Sequence, residues 1–503
     1  MQNKAIGILM HLRERGVEVS NLCTDSRTLR RGDVFLAYPG QSQDGRSHVA
    51  GAISAGAAAV LWERAGFDWN EGWHVPNLPV DGLRGLAGPI AHEAYGRPTE
   101  KLWVMGVTGT NGKTSCSQWL AQACGACGAR TAVVGTLGIG FPGGFPGGPE
   151  ATLAPSPNTT PDAVALQRSL SRLLAEGAQG AALEVSSIGL DQGRVNGVKF
   201  GAALFTNLSR DHLDYHGDME RYAQAKQILF RSPGLGHAVL NMDDVQGVSI
   251  ARMLAGGGVS RAGFSCFEGV AARAGLENFV EAHDIGVSAH GIAFTAKSSW
   301  GEARIASPLL GRYNISNLLG VLATMMASGV PIAQASAALA GLAPVRGRME
   351  RIGGGSRPLV VVDYAHSPDA LDKVAQALRD VTSARGGRLI MVFGCGGERD
   401  RGKRPLMGAV ASRHAERIIL TSDNPRREDP NAIISEIAAG ITVAHEAIAD
   451  RHAAIAAAVA SAHAGDVVLL AGKGHETGQE IEGQRLPFSD VHEAQTALER
   501  WEP

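Results

Sequence analysis

The residues best suited to chemistry begin with a glycine-rich turn, Gly106-Val-Thr-Gly-Thr-Asn-Gly-Lys113-Thr114. An apolar run, Leu102–Val107, leads into it and a helical pattern leaves it from Thr114. Successive backbone N–H groups in such a turn converge at a helix N-terminus and form an anion nest. A lysine at its end reaches the outer phosphates of a nucleotide, and the hydroxyl that follows can ligate Mg²⁺. The strict pattern G-x-x-x-x-G-K-[ST] asks for glycine at position 107; this chain carries Val107, so the loop is a variant. By itself the turn indicates a nucleotide and nothing more specific, because kinases, motors, GTPases and ligases all use one.

Three polar clusters follow. Glu184-Val-Ser186-Ser187 closes the expected strand Gly180–Val185. A carboxylate outside the carboxyl end of a parallel strand can share Mg²⁺ with bound phosphates. Asn207-Leu-Ser-Arg210-Asp211-His212-Leu-Asp214-Tyr-His216 closes the expected strand Ala202–Thr206 and holds two His and two Asp within six residues. On spacing alone, its plainer reading is capping and surface hydrogen bonding. Lys226, in Tyr222-Ala-Gln-Ala-Lys226, sits on a helical stretch, where a lone lysine is ordinarily solvated.

The elements that must position these groups fall into three blocks. The first, 1–97, has a strand at Asp33–Tyr38, an Ala-rich helix around His48–Gly56 and a strand at Ala58–Trp62. The second, 98–343, alternates the strands Leu102–Val107, Thr131–Val134, Gly180–Val185 and Ala202–Thr206 with helical stretches such as Asp162–Glu176. That rhythm predicts a parallel sheet covered on both faces. The third, 344–503, has near-continuous apolar runs at Leu359–Asp363, Leu389–Phe393, Arg417–Thr421 and Asp466–Leu470, with helices Asp369–Val381 and Arg451–His463 between them. It predicts a second, Rossmann-like doubly wound sheet. The fold class expected is therefore α/β in three domains: a smaller N-terminal α/β domain, a central phosphate-loop sheet and the C-terminal doubly wound sheet. The Gly/Pro-rich segment Phe141–Pro157 reads as a long surface loop.

Composition narrows the class. Lys plus Arg is 47 and Asp plus Glu is 49, a formal charge of −2. That balance argues against a coat for nucleic acid or anionic membrane. Hydrophobic residues make up 44%, enough for packed cores. Glycine is 65 of 503 residues, about 13%, against a usual level of about 7%, without a collagen period. Six cysteines are too few for a disulfide scaffold, and Cys124-x-x-Cys127 has no second pair to complete a zinc site. The longest weakly apolar run, Val49–Trp62, falls short of the roughly 20 residues a membrane span needs. The expectation is a cytoplasmic protein working on small molecules, without nucleic acid or membrane insertion, and monomeric.

The loop Gly106–Thr114, Glu184-Val-Ser-Ser, Asn207-Leu-Ser-Arg-Asp-His-Leu-Asp-Tyr-His-Gly217 and Tyr364-Ala-His366-Ser-Pro-Asp369-Ala-Leu resemble, in this order, the motifs of the Mur ligases of peptidoglycan synthesis. The resemblance runs from Asp25-Ser26-Arg27 to Ala471-Gly472-Lys473-Gly474-His475-Glu476. It implies ATP held by Gly109, Thr110, Asn111, Gly112, Lys113, Thr114 and Ser115, with Asn314, Arg348 and, at the ribose, Asp363. It implies Mg²⁺ held by Thr114, Glu184, His212 and Lys226, the last carbamylated to N6-carboxylysine; carbamylation converts a cation into a carboxylate-like oxygen donor. Lys113, Glu184, His212 and Lys226 are the implied catalytic set. A UDP-muramoyl dipeptide would meet Thr24, Ser26, Gln41, Ser42, Gln43, Asn158, Thr159, Thr160, Ser186, Gln192 and Arg194. Here the chain departs from the family form, with Thr24 for Leu and Gln41-Ser-Gln43 for His-Gln-Ala.

Within the family the resemblance favours addition of meso-2,6-diaminopimelate, through Arg399, Asp423-Asn424-Pro425-Arg426, Gly472 and Glu476. The added amino acid differs from lysine by a distal carboxylate, which an arginine fork grips through two oxygens. A buried arginine left without its anion costs about 3–5 kcal/mol, enough to reject lysine by about 10²–10³. The implied reaction activates the D-glutamate γ-carboxylate of UDP-N-acetylmuramoyl-L-Ala-D-Glu as an acyl phosphate before amine attack. Asp211 and His366 are the candidates for general base. Alternatives are a lysine-adding Mur ligase, a folylpolyglutamate synthase and, outside enzymes, an inactive nucleotide-binding paralogue.

Overall fold

The computed structural model describes residues 1–41, 43–143 and 150–502. The N-terminal sheet has four parallel strands in the order Leu22–Cys23, Val34–Ala37, Ala59–Glu63, Asn77–Val80. Successive side chains on a strand point to opposite faces, and both faces here are apolar. Val34, Leu36, Ala59 and Leu61 pack under the helices Gln2–Glu14 and Leu83–Ala94. Phe35, Ala37, Val60 and Trp62 pack against the short helix Val49–Ser54 and the aromatic side chains Phe67, Trp69 and Trp73. The expected helix around His48–Gly56 is this short helix, preceded by a 3-10 turn over Gly45–His48.

The central sheet has eleven strands. Its parallel body runs Asn278–Ser288, Ser260–Ser265, His237–Asn241, Ala202–Phe205, Trp103–Thr108, Gly180–Glu184, Thr131–Gly135. Val107, Val133, Ala182 and Leu204 face the helices Lys113–Ala126 and Tyr313–Ala327. Val104, Val134, Leu183 and Phe205 face Ala163–Ala175 and Met219–Phe230. Antiparallel strands extend both edges: Gly291–Ser298 and Gly301–Ser307 on one side, Gly138–Phe141 and Thr152–Ala154 on the other. The last pair corrects the reading of Phe141–Pro157 as loop throughout, because backbone pairing of Gly140 with Leu153 makes part of it an edge strand. The glycines at 144 and 147–148 of that segment lie outside the described residues.

The C-terminal sheet has the order Glu350–Gly353, Leu359–Asp363, Val467–Ala471, Leu389–Phe393, Arg417–Leu420, Glu446–Ala447. All its pairs are parallel except the first. Val361, Met391 and Leu469 face Pro368–Arg385 and Lys403–His414, while Val360, Val392 and Leu470 face Arg451–Ala460 and Asp490–Glu499. A hairpin, Gly478–Ile481 with Gln484–Pro487, stands beside it. In both large sheets the polar sequence clusters follow the carboxyl ends of parallel strands, the position where open α/β sheets bind ligands. No described helix is long and apolar enough to cross a membrane.

Candidate active site

The phosphate loop leaves strand Trp103–Thr108 and enters helix Lys113–Ala126. It is stitched to the neighbouring strand end: the Thr110 amide donates to Asn207 O (2.8 Å), the Asn111 amide to Asn207 Oδ1 (3.0 Å), and Thr206 Oγ1 to Asn111 O (2.6 Å). Gly109 is obligatory, since its φ is +149° and a Cβ there would lie 1.9 Å from Thr206 Oγ1. Lys113 Nζ curls back to donate to Gly109 O (2.9 Å) and Thr110 O (2.8 Å), and burial pushes its ammonium below the ordinary lysine range. Ser115 is buried in the first helical turn.

Glu184 ends the adjacent strand and is 1% exposed. Its Oε2 accepts from Thr114 Oγ1 (2.8 Å) and Thr136 Oγ1 (3.0 Å), and its Oε1 from the Thr136 amide (2.9 Å). Arg348 Nη2 donates to the same Thr114 hydroxyl (3.1 Å), and its guanidinium lies over the Tyr364 ring (4.6 Å). Lys226, on helix Met219–Phe230, is 1% exposed rather than solvated. Its Nζ donates to Gly109 O at 2.8 Å, so one carbonyl of the phosphate loop accepts from two lysines. Burial, with the Lys113 charge beside it, holds Lys226 well below the usual lysine range. His212 has a left-handed backbone (φ +54°), and burial holds its imidazole down to about 3, so it is neutral at pH 7. Asp211, 5% exposed, faces His366 Nε2 (3.4 Å), His212 Nε2 (3.7 Å) and Lys403 Nζ (3.7 Å). Against the opposing pull of burial, these neighbours keep its carboxyl well below the usual range.

Toward the N-terminal sheet, Thr160 Oγ1 donates to Glu184 O (2.9 Å), and Ser186 Oγ caps the short helix Ser187–Asp191. Thr159 Oγ1 is 3.0 Å from Thr136 Oγ1, and Asn158 is exposed. A relay runs outward from here: Arg194 donates to Thr160 O (2.8 Å) and Gln192 Oε1 (2.9 Å), and Gln192 to Gln41 Oε1 (2.7 Å). Gln41 in turn donates to the Tyr215 hydroxyl (2.6 Å). Thr24 Oγ1 reaches Asp162 Oδ1 at 3.4 Å, Ser26 is half-buried, and the exposed Gln43 accepts the Gly40 amide through its backbone (2.8 Å). Ser42 lies outside the described residues.

Toward the C-terminal sheet, Asn111 Nδ2 donates to Asp369 (2.8 Å), and Arg210 grips Asp400 through two nitrogens (3.0 and 3.1 Å). Asp363 is buried, and both its oxygens accept backbone amides, of Met349 and Ala365 (2.8 Å each). A ribose there would meet a carboxylate already engaged. Asn314 is likewise engaged, with Leu310 O (2.7 Å) and Asn317 (3.0 Å). Arg426 also has a left-handed backbone (φ +55°); its Nη1 donates to Gly397 O (2.6 Å) and its Nε to Glu480 (3.1 Å). The preceding Pro425 is buried, and its O lies 2.0 Å from where a Cβ on Gly397 would be. Arg399 is exposed, with Nη1 on Glu398 O (3.0 Å). Asp423 is buried, and a Cβ on Gly472 would come within 2.6 Å of its Oδ2. Asn424 donates to Glu476 (2.9 Å).

A cavity of about 860 Å³ joins these regions. It is lined by the phosphate loop, Glu184, Asp211, His212 and Lys226, by Asn158–Thr160, Ser186 and Arg194, and by Arg348, Asp363, His366 and Arg399. Thr24, Ser26, Gln41, Gln43, Gln192, Asp423–Arg426, Gly472 and Glu476 are not among its walls.

Three family models match consecutive stretches: the Mur ligase family catalytic domain over residues 18–95, the Mur ligase middle domain over 107–325 and the Mur ligase glutamate ligase domain over 347–474. A Chromobacterium violaceum protein named UDP-N-acetylmuramoyl-L-alanyl-D-glutamate–2,6-diaminopimelate ligase is 48% identical over 493 residues, 97% of this chain and 96% of its own length. The chain belongs to the Mur ligase family. A Ralstonia nicotianae protein of the same name is 49% identical over 488 residues, covering 95% of this chain and 93% of its own. A solved structure of a ligase so named is 36% identical, with a TM-score of 0.66 over 96% of this chain and 95% of that one.

In this Mur ligase several groups around the cavity escape sequence reasoning. Thr136 gives two of the three hydrogen bonds to the Glu184 carboxylate, Tyr215 joins Gln41 to Asp191 (2.7 Å), and Lys403 faces Asp211. Their partners are 48, 24 and 192 residues away in sequence, as 184 − 136, 215 − 191 and 403 − 211, so spacing carries no signal. For metal binding, no three His, Cys, Asp or Glu side chains among the described residues are arranged to hold an ion by themselves. Donors facing the cavity include the Glu184 carboxylate, the neutral His212 imidazole and the Thr114 hydroxyl. That set suits a hard divalent cation.

Proposed function

We propose that this Mur ligase adds meso-2,6-diaminopimelate to the D-glutamate γ-carboxylate of UDP-N-acetylmuramoyl-L-Ala-D-Glu, driven by ATP, in peptidoglycan synthesis. The observation that carries the reading is the shared cavity: phosphate loop, acid and imidazole donors, Arg194 and Arg399 all line one space. In this reading residues 1–97 hold UDP, 98–343 ATP and 344–503 the amino acid, in a monomeric cytoplasmic enzyme. Likeness to the diaminopimelate ligases over nearly the whole chain supports the choice of amino acid.

Thr114, Glu184, His212 and Lys226 would hold Mg²⁺. A further anionic oxygen would come from Lys226: burial favours its neutral amine, which attacks CO₂; a C–N bond forms and a proton leaves, giving a carbamate. Mg²⁺, when bound, would offset negative charge on the phosphates. Lys113 and the loop amides do the same from the protein side and fix the direction of transfer. The γ-phosphoryl group passes to the D-glutamate carboxylate, breaking its bond to ADP and making an acyl phosphate. The unprotonated amine attacks the acyl carbon, and the tetrahedral intermediate expels phosphate. His366, with Asp211 3.4 Å from its Nε2, is the group placed to take the amine's proton. Arg399 and Arg426 would receive the distal carboxylate, and Glu476 an ammonium.

ADP release tests the reading. It should require UDP-N-acetylmuramoyl-L-Ala-D-Glu and diaminopimelate together, and fall sharply when lysine replaces diaminopimelate. Preference for lysine, or ADP release driven by a folate and glutamate, would reject it.

A further inference from the structure

Lys473 follows strand Val467–Ala471, between Gly472 and Gly474, whose backbones are left-handed (φ +115° and +52°). Its side chain has no exposed surface. Its Nζ donates to Glu476 Oε2 (2.9 Å) and Asn424 Oδ1 (3.1 Å) and lies 3.8 Å from Asp423 Oδ1. One buried cation thus touches residues from two strand ends, all three assigned above to the amino acid.

These contacts fix Asn424 in one orientation. Its Oδ1 accepts from Lys473 and from the Glu480 amide (2.9 Å), and its Nδ2 donates to Glu476 Oε2 (2.9 Å). A flipped amide would turn a donor toward an ammonium. Glu476 Oε2 therefore carries two hydrogen bonds, while no donor among the described residues reaches Oε1, on a side chain that is 26% exposed. Arg451, fully buried with Asp490 (2.7 Å), holds the same two turns from beneath through Ser422 O (3.2 Å) and Ala471 O (3.0 Å).

We infer that Lys473 is a positioning residue of the amino-acid site, locking Asn424 and Glu476 so that Glu476 Oε1 is presented to an ammonium of the amino-acid substrate. The inference rests on the reading of Asp423–Arg426 and Glu476 as that site. Without the cation, Asp423 and Glu476 face each other as like charges in a buried pocket, and Glu476 is protonated more readily. The other titratable groups around them are Arg451, Asp490, Tyr364 and His475, whose imidazole burial pushes down to about 4.

The test uses the full chain with Lys473→Met, Glu476→Gln and the double variant. Lys473→Met should raise KM for diaminopimelate roughly tenfold or more. KM for ATP and for the nucleotide dipeptide should hold, as should kcat at saturating diaminopimelate. The acid limb of kcat/KM for diaminopimelate should move to higher pH, and the double variant should be no worse than Glu476→Gln alone. Lys473→Gln, neutral but still a donor, guards against a packing defect and should raise the same KM. An unchanged KM for diaminopimelate in Lys473→Met, with Glu476→Gln impaired, overturns the role of Lys473 alone. An unimpaired Glu476→Gln overturns the amino-acid site itself. Loss of nucleotide binding in both Lys473 variants makes Lys473 a plain core residue and overturns the inference.

Discussion

Replacing Arg426 by alanine should cost diaminopimelate binding and leave lysine binding nearly untouched. The guanidinium has five N–H donors. Two are engaged, with Gly397 O at 2.6 Å and Glu480 at 3.1 Å, which leaves three for a substrate carboxylate. The backbone pins the side chain further: the Arg426 amide donates to Glu480 O (3.0 Å), and Arg426 O accepts the Glu482 amide (2.6 Å). The fork is thus aimed before substrate arrives, and little ordering entropy opposes binding. Truncating one partner of a buried charge pair costs about 2–5 kcal/mol. The Arg426 side chain keeps 17% exposure and Glu480 already draws on its charge, so the lower part of that range, about 2–3 kcal/mol, applies. Converted at 298 K, KM for diaminopimelate should rise about 30- to 150-fold. Arg426→Lys, which keeps charge without the fork, should fall between. Initial rates of ADP release, with ATP and nucleotide dipeptide saturating and either diaminopimelate or lysine varied, give both KM values. Equal changes for the two amino acids, or none, would refute the assignment of Arg426 to the distal carboxylate.

Other outcomes follow from the same geometry. Lys226→Ala should abolish turnover and regain part of it with formate or acetate, which supply the oxygen donor the carbamate would have given; full activity without rescue would remove Lys226 from the reaction. Gly135→Ala should silence the enzyme with little change in Tm, because the new Cβ would sit 2.1 Å from Glu184 Oε1 and push the carboxylate out of place; normal rates would show that Glu184 tolerates displacement. Asp466 has a folded-state pKa lowered to about 2, by Arg388 and by the amides of His463 and Arg388 against the opposing effect of burial. Because that pKa is depressed, its stabilisation is present above pH 4 and lost as pH falls toward 2, about 2 kcal/mol in all. Denaturant unfolding of wild type and Asp466→Asn should differ at pH 6 and converge near pH 2.

Much of this arrangement is legible before folding. Leu359–Asp363 and Leu389–Phe393 are read to the residue, because every side chain in them is apolar or turned into a core and the run ends where the turn begins. The phosphate loop is legible because its glycines answer to contacts that recur wherever a backbone cradles an anion. The antiparallel extension Gly291–Ser307 is not, since its strands mix buried and open positions and Gly301–Ser307 is mostly open, with no continuous apolar run to mark it. Lys226 shows the limit of local pattern most plainly. Its helix spacing reads as surface, and only the packing of helix Met219–Phe230 under Gly109 buries it. The ties between sheets, Asn111 to Asp369 and Arg210 to Asp400, join residues 258 and 190 positions apart and exist only once the chain is folded.

Ligation of diaminopimelate through an acyl phosphate leaves an isotopic signature in its products. UDP-N-acetylmuramoyl-L-Ala-D-Glu labelled with ¹⁸O in the γ-carboxylate is incubated with ATP, Mg²⁺ and meso-diaminopimelate, and the released phosphate and the nucleotide product are weighed by mass spectrometry. Each phosphate should carry one ¹⁸O and the new amide should retain one, in a product heavier by one diaminopimelate residue. Unlabelled phosphate, or ATP turnover without the heavier product, would contradict this route.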